Sequence, residues 1–125
     1  MRFLLDTHAL LWWLSDDPTL SVEARAAISA PDHEVFVSAA SAWEIGIKAA
    51  LGKLSVPGNL EEAIEAEAFR PLAFTIRHAM VAAALPRHHD DPFDRALVAQ
   101  AQVERCTLVT RDTRMRLYEI QLLEA

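Results

Sequence analysis

Short apolar runs of strand length alternate with helix-length segments along the whole chain, and this alternation limits the possible folds more than any other feature. Strands are predicted at residues 2–6, 34–38, 71–75 and 107–110, with an edge strand at 119–123. Helices are predicted between them, beginning near residues 7, 22, 39, 60, 76, 92 and 113. The helices at 22–30 and 60–69 have good N-cap residues in Ser21 and Asn59, and the helix from residue 39 has apolar positions at Trp43, Ile47 and Leu51. Strands that alternate with helices favour a parallel sheet covered on both faces and joined by right-handed crossovers. The sequence therefore predicts an α/β fold, a short parallel sheet of four to five strands with helices on both faces.

The length of the chain indicates one domain, spanning residues 1–125, with a core large enough to fold without a disulfide or a structural metal. The lone cysteine, Cys106, lies among strand-like residues and is interpreted as a small core side chain. The apolar runs are far shorter than the roughly 18 residues that a membrane span needs. The N-terminus reaches Asp6 before a signal peptide could form, so we expect a cytoplasmic protein without membrane association.

The formal net charge is −6, with 18 acidic residues against 12 lysines and arginines. This balance argues against a protein that coats nucleic acid passively, because such a protein carries a basic surface. It does not exclude a nuclease that works through metal ions, since such an enzyme must gather carboxylates to hold the metal. The placement of the acids therefore decides the interpretation.

Four acids are predicted to meet at one edge of the sheet. Asp6 ends the first strand and Asp112 follows the fourth, while Glu44 and Asp94 lie in the first turns of helices that begin at that edge. Ligands of doubly wound sheets bind beyond the carboxyl ends of the strands, at a topological switch point. Crowded carboxylates need protons or cations to neutralise them, and an oxygen-rich site suits Mg²⁺ or Mn²⁺. Two such ions can clamp the attacking and leaving oxygens of a phosphodiester.

Each acid taken singly has a structural interpretation as well. Ser41 and Glu44 have the spacing of a capping box, Asp91 and Asp94 resemble one, and Asp112 is a good N-cap. Asp91 could bind metal or cap its helix, and the helix cap is the favoured interpretation. The joint placement of the acids argues for a site more strongly than any single residue does.

Four segments carry a resemblance to a known family: LLDTHALLW (4–12), SAWEIGIK (41–48), DPFDRALVAQA (91–101) and LVTRD (108–112). In order and spacing they resemble the motifs of the PIN domain, and specifically those of the VapC-type toxin ribonucleases of type II toxin–antitoxin systems. The resemblance covers nearly the whole chain.

The resemblance implies an activity and partners. Asp6, Glu44, Asp94 and Asp112 match the acidic residues that hold Mg²⁺, for which Mn²⁺ can substitute, and activate water for endonucleolytic RNA cleavage that leaves a 5′-phosphate. It also implies an antitoxin that blocks the active site, and a homodimer or a toxin–antitoxin hetero-oligomer.

Five further residues flank the acids in sequence and are predicted, on weaker grounds, to contact substrate: Thr7, His8, Arg95, Thr110 and Arg111. The two threonines could hydrogen-bond the carboxylates or metal waters, and the two arginines, like the nearby Arg114 and Arg116, could contact phosphates. Solvated helix-end charges explain the arginines equally well. The neighbouring His88 and His89 have a residue type typical of metal sites, but a polar loop before a helix is the favoured interpretation.

The first predicted helix is apolar on all sides, and it contains Trp12 and Trp13. A small core has limited room for two indoles, so at least one is predicted to lie at an interface with a partner. Burial of both in the core is the alternative.

Two rival functions remain open at the level of the sequence. A PIN-like scaffold that only binds RNA or protein would share the fold and the motifs. An acidic phosphoacceptor module is less favoured, because it needs an acidic pair after the first strand, where Asp6 is followed by Thr7. It also needs a lysine near the last strand, and both lysines, Lys48 and Lys53, are mid-chain.

Overall fold

The computed structural model describes residues 1–56 and 58–125. The strands are β1 (Arg2–Leu5), β2 (Glu34–Ser38), β3 (Arg70–Leu72), β4 (Thr107–Thr110) and β5 (Leu122–Glu124). The helices are α1 (Thr7–Leu14), α2 (Val22–Ser29), α3 (Ala39–Ala50), α4 (Leu60–Ala66), α5 (Ile76–Ala84) and α6 (Pro92–Glu104), followed by a 3₁₀ helix, η1 (Thr113–Leu117). None of these helices is long and apolar enough to cross a membrane.

The strands form one parallel sheet in the order β3-β2-β1-β4-β5. The chain builds outward from the central β1 through β2 to β3, and then crosses to the other side of β1 for β4 and β5. The direction of winding therefore reverses between β1 and β4, which is the position where doubly wound sheets bind ligands. The predicted α/β fold is confirmed.

Alternate residues of the central strands feed two separate apolar cores. Phe3 and Leu5 of β1 point to a core shared with α1 and α2, whereas Leu4 points to a core shared with α6. The strands are apolar on both faces because both faces are covered, as expected for a parallel sheet. The helices thus hold the carboxyl ends of β1 and β4 rigidly side by side.

Several predicted boundaries move by two to three residues, and local backbone explains the largest shifts. The fourth helix ends at Ala66, short of the predicted residue 69, because Ala68 adopts a left-handed conformation with φ 58°. The third helix ends at Ala50, where Gly52 takes φ 72° just past the helix end. The last strand lies at Leu122–Glu124, later than the predicted 119–123.

The inward face of α3 is not the apolar stripe that indicated the helix. Trp43 is 67% exposed and Leu51 is 63% exposed. The buried positions instead include Glu44 and Ile45. This helix therefore turns the carboxylate of Glu44 toward the interior of the protein and the indole of Trp43 toward solvent. The buried position of Glu44 bears directly on the site.

Candidate active site

Asp6 lies where β1 passes into α1, and its carboxylate is almost fully buried. The side chain caps α1 by accepting a hydrogen bond from the backbone N–H of Ala9, at 2.7 Å. Burial raises the pKa of Asp6, although a hydrogen bond with the Thr110 side chain opposes this change. A buried carboxylate with a raised pKa at the switch point is a good candidate for a ligand to a cation.

Glu44 joins Asp6 from α3, where it is also buried. Its Oε1 accepts a hydrogen bond of 2.6 Å from the Thr7 hydroxyl, and its Oε2 accepts one of 2.8 Å from the Lys48 ammonium. The capping-box interpretation of Glu44 is wrong, because the N-cap of α3 is Ser38, whose side chain accepts from the N–H of Ala40. Glu44 therefore has no capping task, and its contacts tie α3 to the start of α1.

Asp94 lies in the first turn of α6. Asp91 is the N-cap of that helix and accepts from the N–H groups of Phe93 and Asp94, at 2.8 and 3.2 Å. Burial raises the pKa of Asp94 to about 7, and the negative charges of Asp91, Glu44 and Asp6 add to the increase. A carboxyl group resists ionisation in this way when other acids crowd it. The helix-cap interpretation of Asp91 is confirmed, whereas its binding of metal stays a prediction.

Asp112 follows β4 and caps η1, accepting from the N–H of Arg114 at 3.0 Å. The Arg114 guanidinium lies along the same carboxylate, with Nε 3.2 Å from Oδ1 and Nη2 2.9 Å from Oδ2. These hydrogen bonds lower the pKa of Asp112 to about 2. Asp112 is therefore charged at any physiological pH.

A buried histidine that the sequence did not assign to the site connects two of the acids. Nε2 of His89 lies 2.9 Å from Oδ2 of Asp94 and 2.9 Å from Oδ2 of Asp112. The three side chains offer ligand atoms that all lie within 4.8 Å of one another. The sequence favoured a polar loop here, and the only signal was the residue type itself, two histidines directly before the acids.

The two threonines join the acids to one another. Thr7 donates to Glu44, as described above. The Thr110 hydroxyl accepts from the backbone N–H of Asp112 at 3.1 Å and hydrogen-bonds the Asp6 side chain. Both threonines are buried. They therefore hold carboxylates in position, which is one of the two roles predicted for them.

The two arginines predicted to contact phosphates have other partners. Arg95 donates to the backbone carbonyls of four residues: Ala82, Leu85, Pro86 and His89. Arg111 donates from Nε to the carbonyl of Ala125 at 2.8 Å and from Nη2 to that of Thr19. These contacts favour structural roles for both residues over the predicted contact with substrate. His8 is exposed, with its ring 5.8 Å from that of Trp12.

Both tryptophans of α1 are half-buried and have partners within the chain. The Trp12 ring lies 4.8 Å from the guanidinium carbon of Arg111. The Trp13 indole donates to Glu67 at 3.1 Å and packs near Phe69. Trp43 is the most exposed of the three indoles, which the sequence pattern did not indicate. An interface at Trp12 or Trp13 stays a prediction.

The donor set at this edge of the sheet fits a hard divalent cation. The four acids supply carboxylate oxygens, which Mg²⁺ and Mn²⁺ prefer. The mutual repulsion that raises the pKa of Asp94 would be relieved by a cation. In addition, the hydroxyl of Ser41, one turn before Glu44 on α3, is buried and has no hydrogen-bond partner among the described residues.

Comparison with known proteins identifies the family. The family model for the PIN domain matches residues 3–120. The chain belongs to the PIN domain family. The chain is 34% identical over 116 residues to Ribonuclease VapC22 of Mycobacterium tuberculosis. This alignment covers 90% of this chain and 88% of that protein.

Solved structures share the fold over almost the entire chain. The complex VapBC2 from Rickettsia felis, bound to a promoter DNA fragment, contains a chain that matches with a TM-score of 0.69 at 14% identity, covering 98% of each chain. A toxin–antitoxin complex from Klebsiella pneumoniae matches with a TM-score of 0.67 at 20% identity, covering 97% of this chain and 95% of that one.

Proposed function

We propose that this protein is a metal-dependent endoribonuclease and the toxin of a type II toxin–antitoxin system. The observation that carries the proposal is the convergence of Asp6, Glu44, Asp94 and Asp112 at the switch point of a PIN domain. The 34% identity to a protein named as a ribonuclease supports the activity. Matches to chains from toxin–antitoxin complexes support an antitoxin as partner.

The four acids, with Asp91 as a further candidate, are the residues that would hold Mg²⁺ or Mn²⁺. When bound, the cation supplies positive charge to the phosphate and lowers the pKa of the attacking water. The protein keeps its ligands in place through hydrogen bonds from outside the set, Thr7 to Glu44 and Thr110 to Asp6. A bound cation would offset the negative charges that, together with burial, raise the pKa of Asp94, and would therefore favour the ionised form of this carboxyl group.

Two cationic side chains border the acids and are candidates to receive RNA phosphates. Lys48 pairs with Glu44 at 2.8 Å and Arg114 pairs with Asp112 at 2.9 Å. Both side chains remain partly exposed, so each can reach a phosphate outside the cluster. We assign them this role in place of Arg95 and Arg111, whose donors are occupied by backbone carbonyls.

An apolar patch supports association with a protein partner. The exposed side chains of Trp43 and Phe74 line one apolar groove between α3, α5 and α6, and Ile76 and Met80 are exposed elsewhere on α5. The Trp43 ring packs edge-on against Phe93 at 5.5 Å, which joins α3 to α6. Exposed apolar patches commonly mark protein–protein interfaces. The patch is therefore a better candidate than Trp12 and Trp13 for contact with an antitoxin or with a second copy.

The proposal is tested with purified protein freed of antitoxin and a structured RNA. We expect cleavage with Mg²⁺ or Mn²⁺, no cleavage with EDTA, and recovery when the metal is restored. Asp6→Asn should be inactive, because the variant loses a ligand while Asn still caps α1. Cleavage that persists in EDTA would refute the metal mechanism. RNA binding without cleavage under all conditions would support the non-catalytic scaffold instead.

A further inference from the structure

The imidazole of His89 lies between two of the proposed metal ligands, Asp94 and Asp112. Its side chain is only 2% exposed, and Nε2 lies 2.9 Å from one oxygen of Asp94 and 2.9 Å from one oxygen of Asp112. Asp94 lies in the first turn of α6 and Asp112 is the N-cap of η1, so the ring bridges two separate elements. We propose that His89 is a positioning residue that holds these two carboxylates in register for the metal, and is not itself a ligand.

The second ring nitrogen decides between these two roles. Nδ1 of His89 accepts a hydrogen bond of 3.1 Å from the backbone N–H of Asp91. A nitrogen that accepts a hydrogen bond must carry a lone pair, so the ring proton lies on Nε2. Nε2 therefore donates its hydrogen bond to Asp112, while one oxygen of Asp94 lies 2.9 Å from the same nitrogen. A metal bound at Nε2 would move the proton to Nδ1, where it would meet the N–H of Asp91.

The loop that carries His89 is held from both sides, which gives the ring a fixed position. The backbone N–H of His89 donates to the hydroxyl of Tyr118 at 3.0 Å, and the same hydroxyl donates to the carbonyl of Pro86 at 2.8 Å. Arg95 donates to the carbonyls of both Pro86 and His89. Arg95 and Tyr118 thus act on the acids through His89, which accounts for the partial burial of an arginine beside the site.

This inference rests on the proposed metal site. His89 would lower the free energy needed to hold the two carboxylates of that site close together. Asp94 and Asp112 repel one another when both are charged, and the polar N–H of His89, which lies close to one oxygen of each, offsets the repulsion. Partners that orient metal ligands in this way typically change metal affinity by about 10- to 100-fold. His89 should therefore matter for metal binding in the absence of any RNA.

The test compares variants that separate the two contacts of the ring. In His89→Asn the shorter amide can still accept from the N–H of Asp91 but cannot reach the acids, whereas in His89→Gln the longer amide can donate to them. His78→Asn is the matched control, because His78 is equally buried, accepts at Nδ1 from the N–H of Thr75 at 3.0 Å and contacts Glu104 through Nε2 at 2.9 Å. The contacts of His78 join α5 to α6, away from the acids, so the His78→Asn variant tests stability alone.

Mn²⁺ affinity is measured by calorimetry on metal-free protein, together with Tm for each variant. We expect His89→Asn to weaken Mn²⁺ binding by about tenfold or more, and His89→Gln to restore it to within about threefold of wild type. His78→Asn should lower Tm but leave the affinity unchanged. Tyr118→Phe removes only the hydroxyl that holds the loop and should weaken Mn²⁺ binding by about threefold. This variant replaces His89→Asn in the test if His89→Asn does not fold.

Nitrogen coupling in the pulsed electron paramagnetic resonance spectrum of bound Mn²⁺ separates positioning from ligation. We expect no directly coordinated imidazole nitrogen in wild-type protein. Directly coordinated nitrogen that disappears in His89→Gln would overturn the inference, as would equal Mn²⁺ affinity in wild type and His89→Asn. If wild-type protein binds no Mn²⁺ at all, the proposed metal site is refuted and the inference falls with it, which distinguishes the two failures.

Discussion

The start of α6 and the start of η1 each present one aspartate to the same imidazole, and the two carboxyl groups differ sharply in charge. Asp94 and Asp112 have the same side-chain exposure, 24%, and the same 2.9 Å contact with Nε2 of His89. The pKa of Asp94 is raised to about 7, whereas that of Asp112 is lowered to about 2. The contact with the histidine and the exposed fraction of the side chain are the same for both, so the difference comes from how strongly each carboxyl group is desolvated and from its other neighbours.

Desolvation and the remaining neighbours explain it. Burial raises the pKa of Asp94 most, and the negative charges of Asp91, Glu44 and Asp6 add to the increase. Asp112 is less desolvated, and Arg114 supplies both a guanidinium and a backbone N–H to its carboxylate. The comparison teaches that one cluster can contain a carboxyl group that resists ionisation beside one that is always ionised, and that burial and the nearest partners together decide which is which.

The largest effect should be the one that the two aspartates share. Asp94→Asn and Asp112→Asn should each reduce RNA cleavage by about 100-fold or more, because each removes a carboxylate that would hold the cation, and the cation is what stabilises the reacting phosphate. Initial rates at saturating Mg²⁺ measure the loss. Asp90→Asn, in the exposed part of the same loop, is the control and should cleave normally. A variant at either position with near-normal activity would separate that aspartate from the catalytic set.

The next largest effect is on the stability of the metal-free protein, and it should have opposite signs at Asp94 and Asp112. The folded pKa of Asp94 is above its unfolded value of 3.8, so the folded state binds more protons and loses stability as pH rises from about 4 to 7. The folded pKa of Asp112 is below that value, so its contribution is present above about pH 4 and is lost as pH falls toward 2.

Asp94→Asn should therefore raise Tm at pH 8, and the gain should shrink as pH falls to 4. Asp112→Asn should lower Tm at pH 8, and the loss should shrink below pH 4. Thermal melts in EDTA across this range measure both. Melting curves that move in the same direction for the two variants would contradict the assignment of different charge environments.

The smallest effect should come from Asp91→Asn. Asn is an equally good N-cap, so α6 keeps its start and cleavage should stay within a few-fold of wild type. The variant removes one of the charges that raise the pKa of Asp94, so that pKa should fall, as measured by NMR titration of the labelled carboxyl carbon. Cleavage as poor as that of Asp94→Asn would add Asp91 to the metal ligands.

Local patterns were sufficient to predict the sheet and the position of the acids. The apolar runs of β1 and β4 and the caps at Ser21, Asn59 and Asp91 are signals carried by neighbouring residues, and the structure has them at those places. Because parallel strands share a carboxyl edge, the convergence of Asp6 and Asp112 follows from the strands alone.

The role of His89 depends on contacts that no local pattern contains. Its burial depends on Tyr118, which lies 29 positions away and accepts a hydrogen bond from its backbone N–H, and on Asp112, which accepts a hydrogen bond from its ring. The contacts of Arg111 were not predictable for a similar reason, since its carbonyl partners come from Thr19 and Ala125. Trp43 was misjudged because the burial of Glu44 turns the opposite side of α3 to solvent.

The capping role of the acids has a consequence for how this protein can lose activity. Asp6 and Asp112 each accept a hydrogen bond at the start of a helix, so folding and the proposed chemistry use the same side chains. Asparagine preserves a cap but carries no negative charge. If the protein is the proposed toxin, the exchange of one oxygen for an amide nitrogen at either position gives an inert protein that still folds and still occupies its antitoxin.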